Sequence, residues 1–447
     1  MRSRGILAAA CGTLLIAIQS WAASPSIYDV TNLGVLPDGT ESYARAINAK
    51  GQVVGFGTVS GEIVETHAFL WEDDEMTDLG TLGGSNSAAF GINNKGFVVG
   101  ESDTGEESIH AFIWQLVKGR AEKGSQKSGK ARAREYGVMV DLGTLDEDFT
   151  DSSARGINDA NVIVGSSTEY LGPTRAFKFT YNASRQRVGE RLDLGTLGGD
   201  NSAAYAIRGN GVIVGMAETD ELSDFAVAAA SGRPLGGSHA FVRRHREMQD
   251  LGTLPGEDMS SVGYALNDSG AVAGACTTPY LLPYVTAGDI VSASQLPYAE
   301  IATLWTAAGI QSLGSLPGYD SVAYGINNSG IVVGQLSQVG IILGLNGPSR
   351  ILPPSTTRAF IWQSGLGILD LNTLIQEDSG WILNGAFGIN DKGWIVGDGT
   401  LNGEPRAFLL KPVREFAPTT TTTSTTTTST TTTTTVPEST TTTTVPG

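Results

Sequence analysis

The chain has 447 residues, of which 40% are hydrophobic, so it is long enough to bury one large core or two ordinary ones. It carries 29 Lys and Arg against 46 Asp and Glu, a net charge of −17. A surface this acidic repels phosphate backbones, which argues against nucleic acid as a partner.

The N-terminus has the three parts of a secretory signal peptide. Arg2 and Arg4 are the charged start, residues 5–18 form an apolar run, and Ser20-Trp21-Ala22 is a small-x-small cleavage site. The run is too short for a comfortable membrane span. We therefore expect removal of residues 1–22, which leaves an exported protein, secreted or on a bacterial cell surface, without a transmembrane span.

The mature chain then keeps one cysteine, Cys276, so that no intrachain disulfide can form. A secreted protein without disulfides fits a bacterial exterior or periplasm, where a large core supplies the stability. We interpret Cys276 as a small buried hydrophobe rather than as a nucleophile.

A nine-residue phrase recurs seven times with constant spacing from a first apolar residue to a last glycine. An Asn/Gly turn lies in the middle and a Val-Val or Ile-Val pair usually follows, which is the pattern of a β-hairpin. Seven copies predict a repeat protein. The copies span residues 47–55, 92–100, 157–165, 207–215, 266–274, 326–334 and 389–397.

Each unit contains four short β-type segments, which we call a, b, c and d. In the second unit they are residues 87–92, 97–100, 110–114 and 138–143, with aromatic and β-branched residues in the segments and Gly, Asn, Asp and Ser between them. Units of roughly 46 to 63 residues with four strands match the blade of a β-propeller, whereas a β-solenoid coil needs about half that length.

The two ends of the repeat region indicate how the fold closes. The first d segment, residues 28–34, precedes any a, b or c, and the last unit ends at its c segment, residues 406–410. Pairing the two leaves no exposed half-blade. We therefore predict an all-β, seven-bladed β-propeller of four-stranded blades over residues 28–412, closed by pairing the N-terminal strand with the last blade.

A basic residue that opens segment c recurs together with an acid at the end of segment d. In antiparallel strands the two can face each other, and such a pair contributes on the order of 0.2–1 kcal/mol. In the fifth unit both are lost, to Ile301 and Ser312. The predicted pairs, which we interpret as scaffold, are His67 with Asp78, His110 with Asp141, Arg175 with Asp193, His239 with Asp250 and Arg358 with Asp370.

His-Ala-Phe segments alternate with Asp-Leu-Gly-Thr-Leu-Gly-Gly (residues 78–84 and 193–199) and Gly-Ile-Asn-x-x-Gly. This pattern resembles the HAF-repeat family of exported bacterial repeat proteins over about residues 28–412, and the fifth unit departs from it most. The resemblance implies an extracytoplasmic β repeat protein of uncharacterised activity. It supplies no catalytic residues.

Two biased segments lie outside the repeat pattern. Residues 118–134 form a basic c–d insertion interleaved with Gly and Ser, which is typical of a mobile, solvated excursion and could alternatively touch anionic polysaccharide or lipid head groups. Residues 418–447 are almost pure Thr with Ser and Val-Pro, which predicts a disordered tail, either a wall or matrix stalk or a mere extension.

Three neighbouring b–c loops are long: residues 216–238, 275–300 and 335–357. On a propeller they would form a wall beside the central opening, where binding residues are usual. Flat amphipathic side chains on that side could stack on sugars or fill protein hot spots, or could equally pack the loops against each other. The candidate binding residues are Tyr280, Tyr284, Tyr298, Tyr319 and Trp381.

The sequence contains no pattern for a catalytic triad, a metal site or a phosphate loop, so we expect no cofactor and no metal. Acidic residues in the loops of the same face leave one enzymatic alternative, a propeller glycoside hydrolase or polysaccharide lyase. Those carboxylates are Asp146, Glu147, Asp148, Glu257, Asp258, Glu377 and Asp378.

These features together favour an exported, monomeric, non-enzymatic binding module for a surface glycan or protein. Besides the enzyme, a purely structural matrix component stays open as an alternative.

Overall fold

The computed structural model describes residues 27–59, 65–118, 135–220, 237–255, 260–278, 299–338 and 356–413. These residues form 28 strands, arranged as seven four-stranded antiparallel sheets, and a one-turn 3-10 helix at Leu371–Thr373. The sheets stand in a ring, so the predicted seven-bladed β-propeller is confirmed. No helix in these ranges is long and apolar enough to span a membrane.

Each blade has its strands in the order a, b, c, d, and the a strands of neighbouring blades contact each other around the axis. Blades 1 to 4 contain β2 (Ser42–Ile47), β3 (Val53–Val59), β4 (Glu65–Glu72) and β5 (Glu75–Asp78); β6 (Gly83–Ile92), β7 (Val98–Thr104), β8 (Ile109–Lys118) and β9 (Glu135–Gly143); β10 (Phe149–Ile157), β11 (Val162–Glu169), β12 (Thr174–Asn182) and β13 (Arg187–Asp193); and β14 (Gly198–Ile207), β15 (Ile213–Thr219), β16 (Ser238–Arg244) and β17 (Glu247–Asp250).

Blades 5 to 7 follow the same order, except that the last blade takes its d strand from the start of the chain. They contain β18 (Ser261–Leu266), β19 (Val272–Thr278), β20 (Ala299–Thr306) and β21 (Gly309–Gly314); β22 (Tyr319–Ile326), β23 (Val332–Gln338), β24 (Thr357–Gln363) and β25 (Gly367–Asp370); and β26 (Trp381–Ile389), β27 (Ile395–Leu401), β28 (Glu404–Pro412) and β1 (Tyr28–Asn32). We call the face of the a–b turns the turn face and that of the b–c connections the loop face.

The ring is closed by β1 and β28. The two strands pair antiparallel, with Tyr28 opposite Pro412 and Asn32 opposite Phe408. Beyond the strands, the Val413 N–H donates to Ile27 O at 2.9 Å. This pairing confirms the ring closure that we predicted from the offset ends of the repeat.

The hydrophobic core lies between neighbouring blades. The phenylalanine of each His/Arg-Ala-Phe segment is fully buried there, for example Phe112 against Val54 and Leu70 of the preceding blade. Blade 5, where Thr303 takes this place, is the exception. The alanine before it is also buried, and the basic residue points to the d strand.

The glycine that ends each nine-residue phrase is required by close packing of strands a and b. A Cβ at Gly55 would collide with the carbonyl oxygen of Tyr43, and a Cβ at Gly165 would collide with that of Ser153. Any side chain at these positions would force strands a and b apart.

A ring of hydrogen bonds links all seven a–b turns. The buried Asn48 accepts three backbone N–H groups of its own turn through Oδ1 and donates from Nδ2 to Asn93 O in the next blade at 3.0 Å. Arg208 makes the equivalent donation in blade 4 through its guanidinium. The donations run from Asn48 to Asn93, Asn158, Arg208, Asn267, Asn327, Asn390 and back to Asn48.

A serine hydroxyl also joins each blade to the one before it in six of the seven junctions. Ser202 accepts from the Ala176 N–H at 3.0 Å and donates to Gly195 O at 2.7 Å. In blade 7 the amide of Asn372 replaces this hydroxyl and bonds both backbone groups of Leu383. The six serines are Ser42, Ser87, Ser152, Ser202, Ser261 and Ser321.

Candidate functional site

The residues that break the repeat most clearly lie on the axis. The position two residues before the apolar start of each phrase changes between arginine, phenylalanine and tyrosine, whereas its neighbours in strand a are mostly small. Each of these seven side chains is half-buried at the inner strand of its blade. We call them the axial belt: Arg45, Phe90, Arg155, Tyr205, Tyr264, Tyr324 and Phe387.

The members of the axial belt contact each other across blade boundaries. Tyr205 and Tyr264, Tyr264 and Tyr324, and Tyr324 and Phe387 each have ring centroids 5.1 Å apart. Arg45 places its Cζ 4.3 Å from the ring centroid of Phe387. Blades 4, 5, 6, 7 and 1 therefore share one continuous contact surface around the axis.

The two arginines of the belt pair with carboxylates of the preceding blades. Arg45 Nη1 lies 2.7 Å from Asp398 Oδ1, and Arg155 Nη2 lies 3.5 Å from Glu101 Oε2. Arg155 also places its Cζ 4.0 Å from the ring centroid of Phe90. Each arginine thus combines an ion pair with a cation–π contact.

The carboxylates lie on the loop-face side of the belt. Asp398 is opposite Gly385, two residues before Phe387 in strand a, and Glu101 is opposite Ala88, which stands two residues before the belt residue of its blade. Strand a runs from the loop face to the turn face. Seen from the loop face, the carboxylates of the two ion pairs therefore lie above the aromatic residues of the belt, which we call the aromatic floor.

Blade 1 extends this surface toward the loop face. Tyr43 stacks on Phe56 with centroids 5.1 Å apart, and the Cζ of Arg45 lies 5.0 Å from the Phe56 ring. The Tyr43 hydroxyl donates to Glu41 Oε2 at 2.8 Å. Burial and this hydrogen bond raise the pKa of Tyr43 to about 12.

The tyrosines of the belt are neutral donors at ordinary pH. Burial, with the nearby Glu300 carboxylate, raises the pKa of Tyr324 to about 12. Burial raises the pKa of Tyr264 well above its usual value and that of Tyr205 in the same direction. Burial also raises the pKa of Asp398, while the charge and hydrogen bond of Arg45 act against that rise.

The predicted cross-strand pairs lie away from the axis, between the c and d strands. The structure brings the members of all five pairs to within 2.7–3.0 Å. In blade 5, Ser312 Oγ accepts from the Gly314 N–H, as the aspartates do in their turns. The distances are 2.8 Å for His67–Asp78, 2.9 Å for His110–Asp141, 3.0 Å for Arg175–Asp193, 2.7 Å for His239–Asp250 and 2.8 Å for Arg358–Asp370.

Two of the five predicted binding residues are described, and both take part in packing. Tyr319 is half-buried and its hydroxyl accepts from Arg358 Nε at 3.2 Å. Trp381 meets Phe408 edge-on, with centroids 6.1 Å apart. Tyr280, Tyr284 and Tyr298 lie outside the described residues, as do most of the three long loops, the predicted signal peptide (1–22), nearly all of the basic insertion and the tail (418–447).

The loop-face carboxylates behind the enzymatic alternative are solvated where they are described. Asp146, Glu147, Asp148, Glu377 and Asp378 are all exposed on d–a connections, and residues 256–259 are not described. In the described ranges, no group of three or more His, Cys, Asp or Glu side chains could hold a metal ion.

Cys276 is buried in the core between blades 4 and 5. Burial raises the pKa of its thiol, so the thiol stays protonated at neutral pH. A protonated, inaccessible thiol agrees with the interpretation of Cys276 as a small hydrophobe.

A separate cleft of about 440 Å³ lies on the outer rim between β9 and β13. Arg187 and Arg191 line it together with Asp141, and Arg191 Nη2 donates to Leu142 O at 2.7 Å. The rim cleft shares no residue with the axial belt.

Sequence reasoning missed the axial belt, although a signal was present. In all seven copies, the belt position is arginine, phenylalanine or tyrosine and is flanked on both sides by alanine or glycine. Comparison of the seven copies for differences, rather than for likeness, would have singled it out.

A family model described as "Protein of unknown function (DUF3466)" matches residues 83–234, about a third of the chain. No curated protein matches. Among solved structures, the chain is similar to Pyrococcus horikoshii acylaminoacyl peptidase, with 9% identity, a TM-score of 0.45, and coverage of 84% of this chain and 52% of the other. It is also similar to Trypanosoma rangeli sialidase, with 10% identity, a TM-score of 0.37, and coverage of 83% and 55%.

The chain thus spans about half the length of these structures. Likenesses this distant bear on the fold alone, and at TM-scores below 0.5 they carry no inference about activity.

Proposed function

We propose that this protein is an exported, monomeric, non-enzymatic binding module of the HAF-repeat type, which holds a surface glycan or protein at the axis of its propeller. The observation that supports this most is the axial belt with its two arginine–carboxylate pairs. The belt brings aromatic faces, hydrogen-bond donors and hydrogen-bond acceptors together around the axis.

Most junction residues recur from blade to blade, whereas the belt residues differ in type. The buried phenylalanines, the turn asparagines and the bridging serines each recur in six of the seven blades, because the blade junctions share the same contacts. The belt position faces the axis, and its residue type differs between blades, so the blade junction does not dictate it. Varied, half-buried residues on a rigid repeat scaffold are where binding residues are usual.

The test is a pull-down of envelope glycans and proteins by the full exported chain and its variants. Arg155→Met removes a belt cation, and we expect at least a tenfold loss of retained ligand. Arg175→Met is the matched control, because it removes an arginine of similar pairing distance on the rim. Equal retention by both variants, or equal loss, would contradict a site on the axis.

Export is tested separately by expression of the complete chain in a bacterial host. We expect the protein in the extracytoplasmic fraction with Ala23 as its first residue. An uncleaved N-terminus in the cytoplasm would contradict this part of the proposal.

One observation favours the enzymatic alternative. Burial raises the pKa of Asp398, which is the property of a carboxyl that acts as a general acid in glycoside hydrolysis. Turnover of a polysaccharide by the wild type that Asp398→Asn abolishes would establish a propeller glycosidase or lyase. Binding by the wild type without turnover on a broad polysaccharide panel would exclude it.

A further inference from the structure

We infer that the axial site takes the end of a neutral sugar chain, entering from the loop face. This inference rests on the proposed function, since it names the ligand class of the same site. Three features of the belt carry it: its charge balance, its paired donors and acceptors, and its aromatic floor.

The charges around the belt do not favour an anion. Arg45 and Arg155 are each matched by a carboxylate, Asp398 and Glu101, and the Glu300 carboxylate lies close enough to raise the pKa of Tyr324. An acidic ligand would therefore meet three carboxylates against two arginines, in a protein whose net charge is −17.

The belt does not favour a cation either. The faces of Phe387 and Phe90 are already occupied by the guanidinium groups of Arg45 and Arg155, at 4.3 and 4.0 Å. An ammonium ligand that sought the aromatic faces of the belt would lie beside these two fixed positive charges.

An arginine–carboxylate pair suits a sugar hydroxyl, because the hydroxyl both donates and accepts. Arg45 uses Nη1 for its bonds to Asp398 Oδ1 and Ala44 O, so the described contacts leave other N–H groups of the same fork to point at a ligand. The carboxylates accept in turn, and they are partly accessible, with 14% of the Asp398 and 30% of the Glu101 side chain exposed.

The aromatic floor supplies flat faces for the C–H side of a sugar ring. Tyr205, Tyr264 and Tyr324 remain protonated at neutral pH, so each adds a neutral hydroxyl at the edge of its face. Belt residues touch across neighbouring blade boundaries, so the three tyrosines and Phe387 form one continuous aromatic band beside the axis. The proposal places the end of a chain that approaches along the axis against this band.

The experiment is isothermal titration of the full exported chain with four kinds of probe. These are linear neutral hexose oligosaccharides, cyclic oligosaccharides of the same sugar, an acidic oligouronide and a cationic chitosan oligomer. We expect binding of at least one linear neutral probe and at least tenfold weaker binding of the matching cyclic, acidic and cationic probes.

Variants assign the binding to the belt. Tyr264→Ala removes an aromatic face, and we expect at least a tenfold loss of affinity, whereas Tyr264→Phe keeps the face and should cost less than threefold. Tyr170→Ala is the control, since Tyr170 is on the loop face but 79% exposed. Thermal unfolding of each variant separates loss of binding from loss of folding, and Arg155→Met provides a second test if Tyr264→Ala does not fold.

The outcomes separate the two levels of the proposal. Belt-dependent binding of the acidic, cationic or a protein ligand, with none of the neutral probes, would overturn the ligand class and leave the binding module standing. Equal binding of linear and cyclic probes would overturn entry by a chain end. Binding that no belt variant changes would overturn the proposed function itself.

Discussion

Ser202 connects two blades through one hydroxyl, which accepts from the Ala176 N–H and donates to Gly195 O. Ser202→Ala leaves a buried N–H without a partner, so we expect a loss of about 1–3 kcal/mol in the free energy of unfolding. Ser153→Ala is the matched control, because Ser153 Oγ has no hydrogen-bond partner. Urea denaturation measures both, and equal effects would contradict the bridging role.

Asp250 links stability to pH on the outer strand of blade 4. Burial alone would raise the pKa of its carboxyl, but the hydrogen bonds from His239 and the Gly252 N–H lower it below the usual value. A carboxyl with a lowered folded pKa contributes stability above its unfolded pKa, near 3.8, and loses that contribution as the pH falls through the folded pKa.

We therefore expect Asp250→Asn to destabilise the protein at pH 7 by about 0.5 kcal/mol, a small value because solvent screens this partly exposed pair. The difference from the wild type should shrink as the pH falls below 3.8 and through the lowered folded pKa. Unfolding midpoints at pH 7, 5 and 3 test this. Ser312→Ala, at the same place in blade 5, has no ionisable group and should show a constant difference.

At the scale of the a–b turn, blade 4 offers a natural comparison within the ring of hydrogen bonds. Its linking residue is Arg208, whose guanidinium reaches Asn267 O, where the other blades use asparagine. Arg208 Nε is buried without a hydrogen-bond partner. The ring of hydrogen bonds is therefore complete at this turn, although one buried N–H group of Arg208 makes no hydrogen bond.

We expect Arg208→Asn to restore the usual turn and to match or exceed the wild type in stability. Arg208→Ala breaks the ring at one link and should lower stability by about 1 kcal/mol or more. Thermal unfolding followed by circular dichroism compares the two. An alanine variant as stable as the wild type would contradict the stabilising role of this link, whereas equal loss in both variants would show that the link is specific to arginine.

For the whole molecule, closure makes the ends of the propeller neighbours, since Val413 bonds Ile27. A circular permutant can join residue 413 to residue 27 and open the c–d turn of blade 1 between Asp73 and Asp74, both of which have positive φ. Strand β5 then becomes N-terminal and pairs with β4 at the new C-terminus, which reproduces the native closure.

We expect this permutant to melt within about 5 °C of the parent, because every blade keeps four strands. A second permutant, opened between Gly55 and Phe56 inside β3, should fail to fold, because its cut severs the middle of a blade. If both permutants fold, or if neither folds, the result would contradict our view that closure of each blade with four intact strands controls folding.

The sequence predicts this architecture well because each blade repeats the same local requirements. The Asn/Gly turn and the terminal glycine have one cause in every blade, and the offset segment at Tyr28 follows from the need to pair every edge. The bond from Asn48 to Asn93 could not be predicted, because it depends on the distance between adjacent turns.

The axial belt escaped prediction for the opposite reason. Arg45 and Tyr264 share a position but no chemistry, so a search for likeness among repeats passes over them. The pairing of Arg45 with Asp398 joins residues from opposite ends of the chain, which no local pattern reveals. The prediction of Tyr319 and Trp381, by contrast, depends on residue type alone, and both residues make packing contacts.

The seam between β1 and β28 also sets the order of events during biosynthesis. The strand that emerges first from the ribosome must wait, unpaired, until the strand that ends at Pro412 has been made. Contacts of such long separation form slowly, so the ring stays open until β28 has been made. Nascent chains stopped before β28 should therefore remain sensitive to protease in blade 7, and early resistance there would contradict this order.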